Sequence, residues 1–79
     1  MSKADVYKVL KNVYEGGNLG WYCTQQIRKM LLDIGIDIGL ASINHNLNKL
    51  SLDNEIDRIP NTRGFLYRYR HPKKNKLFT

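Results

Sequence analysis

The sequence predicts an α+β domain: three helices, a short strand between the first two, and a closing β-hairpin. Three observations predict it. Apolar residues recur at helical spacing in three stretches before residue 52. Residues 65–70 alternate strictly between two sets of side chains, as a strand does. Gly16-Gly17, Gly35, Pro60 and Pro72 punctuate the chain between these stretches.

The first helix is expected over 3–15. Val6, Val9, Leu10, Val13 and Tyr14 form one apolar stripe, leaving Lys3, Lys8, Lys11 and Asn12 mostly to water. Ser2 is placed to cap its start, with Asp5 as a weaker capping-box partner, and Gly16-Gly17 stops it. Residues 20–23, Gly-Trp-Tyr-Cys, read as a short strand in need of a partner. Thr24 offers a hydroxyl cap to a second helix over about 25–34, whose inner face is Ile27, Met30, Leu31 and Ile34. Gly35 ends it, and Ile36 to Gly39 make a turn with two apolar anchors. A third helix over about 40–51 carries a narrow stripe of Ile43, Leu47 and Leu50. Glu55 to Ile59 alternate as a strand closed by Pro60, 61–64 form a turn, and Phe65 to Arg70 form the return strand. On that strand Phe65, Tyr67 and Tyr69 share one face, and Leu66, Arg68 and Arg70 the other.

A chain of 79 residues holds one small core, burying only about 60% of its unfolded surface. The expected layout is one domain over 1–72 and a basic tail over 73–79. Hydrophobic residues at 42% and charged residues at 25% argue against wholesale disorder. The single Cys23 excludes an internal disulfide framework and a cysteine-based zinc cage, and suits a reducing compartment. With no signal-peptide core and no apolar run of membrane length, a cytoplasmic, nucleoid-associated protein is expected.

Charge is distributed unevenly. Residues 1–57 hold six basic and seven acidic residues, a net of −1; residues 58–79 hold seven basic residues and no acid, a net of +7. Such an excess usually faces a polyanion, the bland alternative being a solvated tail.

The second helix, the turn and the third helix have the layout of a helix-turn-helix. Opposite Ile43, Leu47 and Leu50 lie Ala41, His45 and Asn48, flanked by Ser42, Asn44 and Lys49, with no acid between Leu40 and Leu52. Small residues at a helix start let backbone approach a groove, and Asn, Ser and His can pair with base edges, asparagine suiting adenine. Asparagines also lower helix propensity, so a merely structural polar face would more often use Glu, Lys, Gln or Ala.

The run from Gly39 to Arg58 (GLASINHNLNKLSLDNEIDR) resembles the recognition helix and first wing strand of winged helix-turn-helix DNA-binding domains. Ser42 stands before the buried aliphatic Ile43; Leu47 and Leu50 follow, then a turn at Asn54, then Ile56 and Arg58. Phe65 to Arg70 resembles the returning wing strand, and the likeness covers roughly residues 3–71. It implies that Ala41, Ser42, Asn44, His45, Asn48 and Lys49 face the major groove, and that Arg63 at the hairpin tip reaches the minor groove or its phosphates. By the same resemblance Arg58, Arg68 and Arg70 brace the wing on the DNA backbone, and Thr24 and Gln25 hold a phosphate at the start of the second helix. Lys73, Lys74 and Lys76 add attraction without sequence preference. Prokaryotic members usually add a dimerisation helix after the wing; with the chain stopping at Thr79, a monomer or weak homodimer is expected.

Trp21, Tyr22, Tyr67 and Tyr69 are expected in the core rather than stacked on bases. Cys23 reads as a small buried hydrophobe. His45 and His71 are poorly accompanied for a metal site, and no phosphate loop, carboxylate pair or nucleophile elbow stands out, so neither enzyme nor cofactor is expected. The expected function is sequence-specific binding of double-stranded DNA by a small transcriptional regulator. The rivals are a protein-interaction module with the same fold and, less favoured, RNA binding.

Overall fold

Each of the three helices ends in the same way, and that shared ending sets the course of the chain. A computed structural model describes residues 2–70, in the order α1 (Ser2–Glu15), α2 (Thr24–Asp33), α3 (Leu40–Leu52), β1 (Ile56–Asn61) and β2 (Gly64–Tyr69). At each helix end a residue with positive φ follows the cap: Gly17 (96°), Gly35 (84°) and Asn54 (60°). The next residue reaches back to the final turn, with Asn18 N–H donating to Val13 O, Ile36 to Leu31 O and Glu55 to Leu50 O at 2.8–3.2 Å. This is the Schellman closure, and it satisfies carbonyls that a helix end otherwise leaves bare. α1 already includes Ser2, the residue expected to cap it, and so starts one residue earlier than expected.

The ending of α2 corrects one core assignment. Ile34 is its C-cap, and the reversal at Gly35 leaves that side chain 61% exposed. Ile36 turns back in its place, packing on the core with Ile38. Arg28 ties the following turn to α2, donating to Ile38 O at 3.3 Å and lying 3.7 Å from the Asp37 carboxylate. The start of α2 also differs from expectation. The N-cap is Cys23, whose N–H donates to Gln26 Oε1 at 2.9 Å, and Thr24 is the first helical residue. Cys23 is half-buried rather than a core hydrophobe.

The core gathers Val6, Val9 and Leu10 of α1, Ile27 and Leu31 of α2, Ile43, Leu47 and Leu50 of α3, and Ile56, Tyr67 and Tyr69 of the hairpin. Burying each such aliphatic stabilises the fold by about 1.5–3 kcal/mol. Tyr69 seats β2 on α1, meeting Tyr7 and Tyr14 edge-on with ring centroids 5.6 and 5.5 Å apart. Lys3 at the start of α1 pairs with Asp53 at the end of α3, at 2.8 Å.

β1 and β2 form a two-stranded antiparallel hairpin in which Ile56 faces Tyr69, Arg58 faces Tyr67 and Asn61 faces Gly64 across a two-residue tip. The expected strand at 20–23 reduces to one bridging residue: Tyr22 exchanges both backbone hydrogen bonds with Tyr67, at 2.9 and 2.8 Å. Tyr67 therefore points its backbone groups away from β1, so Arg58–Tyr67 is a non-hydrogen-bonded pair in the hairpin ladder. Two residues along, Pro60 and Phe65 form another. Pro60 thus sits within β1 rather than closing it, because its missing N–H would have faced outward. The whole is an α+β arrangement compatible with a winged helix. The tail from Lys73, together with His71 and Pro72, lies outside the described residues.

Candidate nucleic-acid interface

Ile43, Leu47 and Leu50 anchor α3 to the core, and their spacing dictates which side chains the helix turns outward. Ala41, Ser42, Asn44, His45, Asn48 and Lys49 are all exposed, as the sequence predicts. The third asparagine of this helix, Asn46, is instead buried beside the apolar stripe. Ala41, His45, Asn48 and Leu52 make the ridge opposite the core, with Leu52 77% exposed. Leu40, Asn44 and Asn48, one turn apart, make the flank that looks toward the hairpin.

Both asparagines on that flank are held by neighbouring elements. The Thr24 hydroxyl at the start of α2 donates to Asn44 Oδ1 at 2.6 Å. From β1, an Arg58 guanidinium nitrogen donates to Asn48 Oδ1 at 3.1 Å. Arg58 is itself stacked on the Phe65 ring, 4.3 Å from its centroid. It also lies against the Tyr67 phenol: burial pushes that phenol's pKa up, and the charge and hydrogen bond of Arg58 pull partly against the rise. Phe65 itself is 41% exposed, although it shares a strand face with the buried Tyr67 and Tyr69. Near the hairpin tip its ring meets the Arg58 guanidinium rather than the core.

At the tip, Asn61 Oδ1 accepts from the Thr62 hydroxyl and from the Arg63 N–H, both at 3.0 Å. This side-chain turn presents Arg63 outward. Among the described residues its guanidinium has no hydrogen-bond or ion-pair partner. A concave groove of about 860 Å³ runs between the start of α2, the flank of α3 and the tip. Thr24, Gln25, Asn44, Asn48 and Arg63 line it, so five of the site residues named from sequence converge. Gln26, Leu40, Asn61 and Phe65 line it as well and were not singled out. Leu40 was findable, since it precedes Asn44 by one helical turn. Among the described residues the lining includes one cation and no acid.

The structure separates two other expected site residues from this surface. Alternation along β2 puts Arg68 and Arg70 on the sheet face turned away from α3, beside Asp57. Arg68 donates to Leu19 O at 3.2 Å and lies over the Trp21 ring at 4.3 Å. Trp21, expected in the core, is thus half-buried beneath a guanidinium. Arg70 pairs with Asp57 at 3.4 Å and reaches Asn54 O at 3.5 Å. Ala41, Ser42, His45 and Lys49 remain on the exposed surface of α3, outside the groove. Among the described residues no helix is long and apolar enough to cross a membrane, and no three His, Cys, Asp or Glu side chains gather to hold a metal. Comparison with protein-family models finds no match, and neither does comparison with curated proteins.

Proposed function

We propose that this chain binds double-stranded DNA with sequence preference, as a small transcriptional regulator of winged-helix type. α3 enters the major groove, Arg63 and the hairpin tip follow the flanking backbone, and the basic tail adds attraction at any sequence. The observation that carries this reading is the acid-free polar surface of α3 continuing into a groove whose one charged lining residue, among the described residues, is an arginine. The start of α2 supports it, because Thr24 and Gln25 bring the N-terminal amides of that helix to the same groove.

A protein-docking role is the second reading, favoured by the exposure of Leu52, Leu40 and Phe65 on or beside the same surface. Fluorescence anisotropy on random duplexes across a salt series separates the two. DNA binding gives a linear loss of log affinity with log salt, from released counterions. Absence of duplex binding at low salt removes the first reading and leaves the second.

A further inference from the structure

Arg58 and Asn48 form a contact whose direction chemistry fixes. A guanidinium has donors and no acceptor, so the Asn48 atom facing it at 3.1 Å is the carbonyl oxygen. The amide nitrogen, with two hydrogens, donates to no partner among the described residues, and Asn48 lines the groove. Arg58 is held for this task on three sides: Phe65 lies under its guanidinium at 4.3 Å, Tyr67 faces it across the ladder, and Asn48 accepts from it. One turn earlier, Thr24 engages Asn44 Oδ1 at 2.6 Å. A hydroxyl can reverse its role, so that second contact reinforces the pattern without fixing it.

We propose that Arg58 is a specificity-determining positioning residue, holding the Asn48 amide with its donors outward so that α3 reads acceptor edges, guanine above all. The inference rests on the DNA-binding reading and deepens it. An unconstrained asparagine favours adenine, donating to N7 while accepting from the N6 amino group. With Oδ1 engaged by Arg58, only its second lone pair remains for that amino group, at the angle the Arg58 contact leaves, and an amino group poorly paired at an interface is costly. Guanine offers O6 and N7, two adjacent acceptors with no donor between them. The acceptor preference inverts what the residue type alone suggests.

The test is selection from random duplexes with the full chain. The base position read by Asn48 is identified as the one losing its preference in Asn48→Ala. Wild type is expected to favour guanine there by about tenfold, the scale of one good base contact. Arg58→Met keeps a long stem on Phe65 and removes the donor, and it is expected to admit adenine at that position while other positions keep their profile. Asn48→Asp still accepts from Arg58 but has no donor, and is expected to lose the guanine preference. In the free wild-type protein, the Asn48 side-chain amide resonances should shift on Arg58→Met, which reports the contact without any DNA. Adenine preference in wild type, or an unchanged profile in Arg58→Met, overturns the inference while DNA binding stands. Duplex binding without base preference does the same. Failure to bind any duplex overturns both.

Discussion

Tyr22 and Tyr67, 45 positions apart in the chain, exchange both of their backbone hydrogen bonds, at 2.9 and 2.8 Å. That one residue of pairing joins the segment entering α2 to the middle of β2. It sets where Thr24 and Gln25 stand relative to the hairpin, and hence the width of the groove between them.

Tyr67 should behave as core and Phe65 as surface, although they share a face of one strand. Tyr67→Ala is expected to cost about 3 kcal/mol, in the range of large aromatic deletions. Phe65→Ala should cost under about 1 kcal/mol, since its ring is already part-exposed and gives up chiefly its stacking with Arg58. Urea unfolding of both variants checks the contrast; equal costs would contradict the hairpin's placement against the helices.

Replacing Asn44 and His45 together with Ala should relax base preference and leave the fold intact, because both side chains are exposed on α3. The stability change is expected to stay within about 1 kcal/mol, since the Thr24 hydroxyl can turn to water when Asn44 is removed. Selection and thermal melts on the double variant read the two effects separately. An unchanged preference moves readout away from this part of α3.

Charge removal should divide into two behaviours. Neutralising Lys73, Lys74 and Lys76 should weaken binding to all duplexes alike, flattening the slope of log affinity against log salt by about 0.9 for each phosphate that no longer meets a lysine. Arg63→Ala should weaken sites flanked by narrow A-tracts more than others, because an arginine in the minor groove senses its width. Anisotropy titrations at several salt concentrations distinguish them. An unaltered slope in the tail variant argues for docking on a protein instead.

The fold should lose stability at alkaline pH. Burial, reinforced by the hydrogen bond with Tyr7, pushes the Tyr69 pKa up to about 12 from its ordinary 10. Below pH 10 the stabilisation is fully present. As pH rises from about 10 toward 12 the unfolded chain releases this proton and the folded chain does not, so stability falls by on the order of 2 kcal/mol. Lys3, whose pKa is raised by its hydrogen bond and ion pair with Asp53, loses its contribution in the same direction. Tyrosinate absorbance followed together with helical circular dichroism checks this. Ionisation of all five tyrosines near pH 10 with the helices intact would contradict it.

Most of the scaffold was legible because its signals are local. Apolar spacing placed the three helices to within one or two residues, and glycine marked two of the three reversals. What was not legible depends on neighbours far along the chain. Ile34 has the right spacing for the inner face of α2, but the reversal at Gly35 hands its place to Ile36. Phe65 has the right parity for the core, but near the hairpin tip it lines an open groove instead. The outward turn of Arg68 and Arg70 could have been read: both alternate with Tyr67 and Tyr69, so a buried tyrosine face excludes them from α3. The engagement of Asn44 and Asn48 could not, since it needs α2 and β1 to arrive on either side of α3.

Pro60 and Tyr22 have a consequence for how copies of this protein meet one another. A two-stranded hairpin has two bare edges, and bare edges invite strands from other molecules to add on. The outer edge of β1 is interrupted by Pro60, which has no hydrogen to give an incoming strand. The outer edge of β2 is occupied at its centre by Tyr22. Among the described residues neither edge offers an unbroken template, so a strand arriving from another molecule meets an interruption in the backbone on either side.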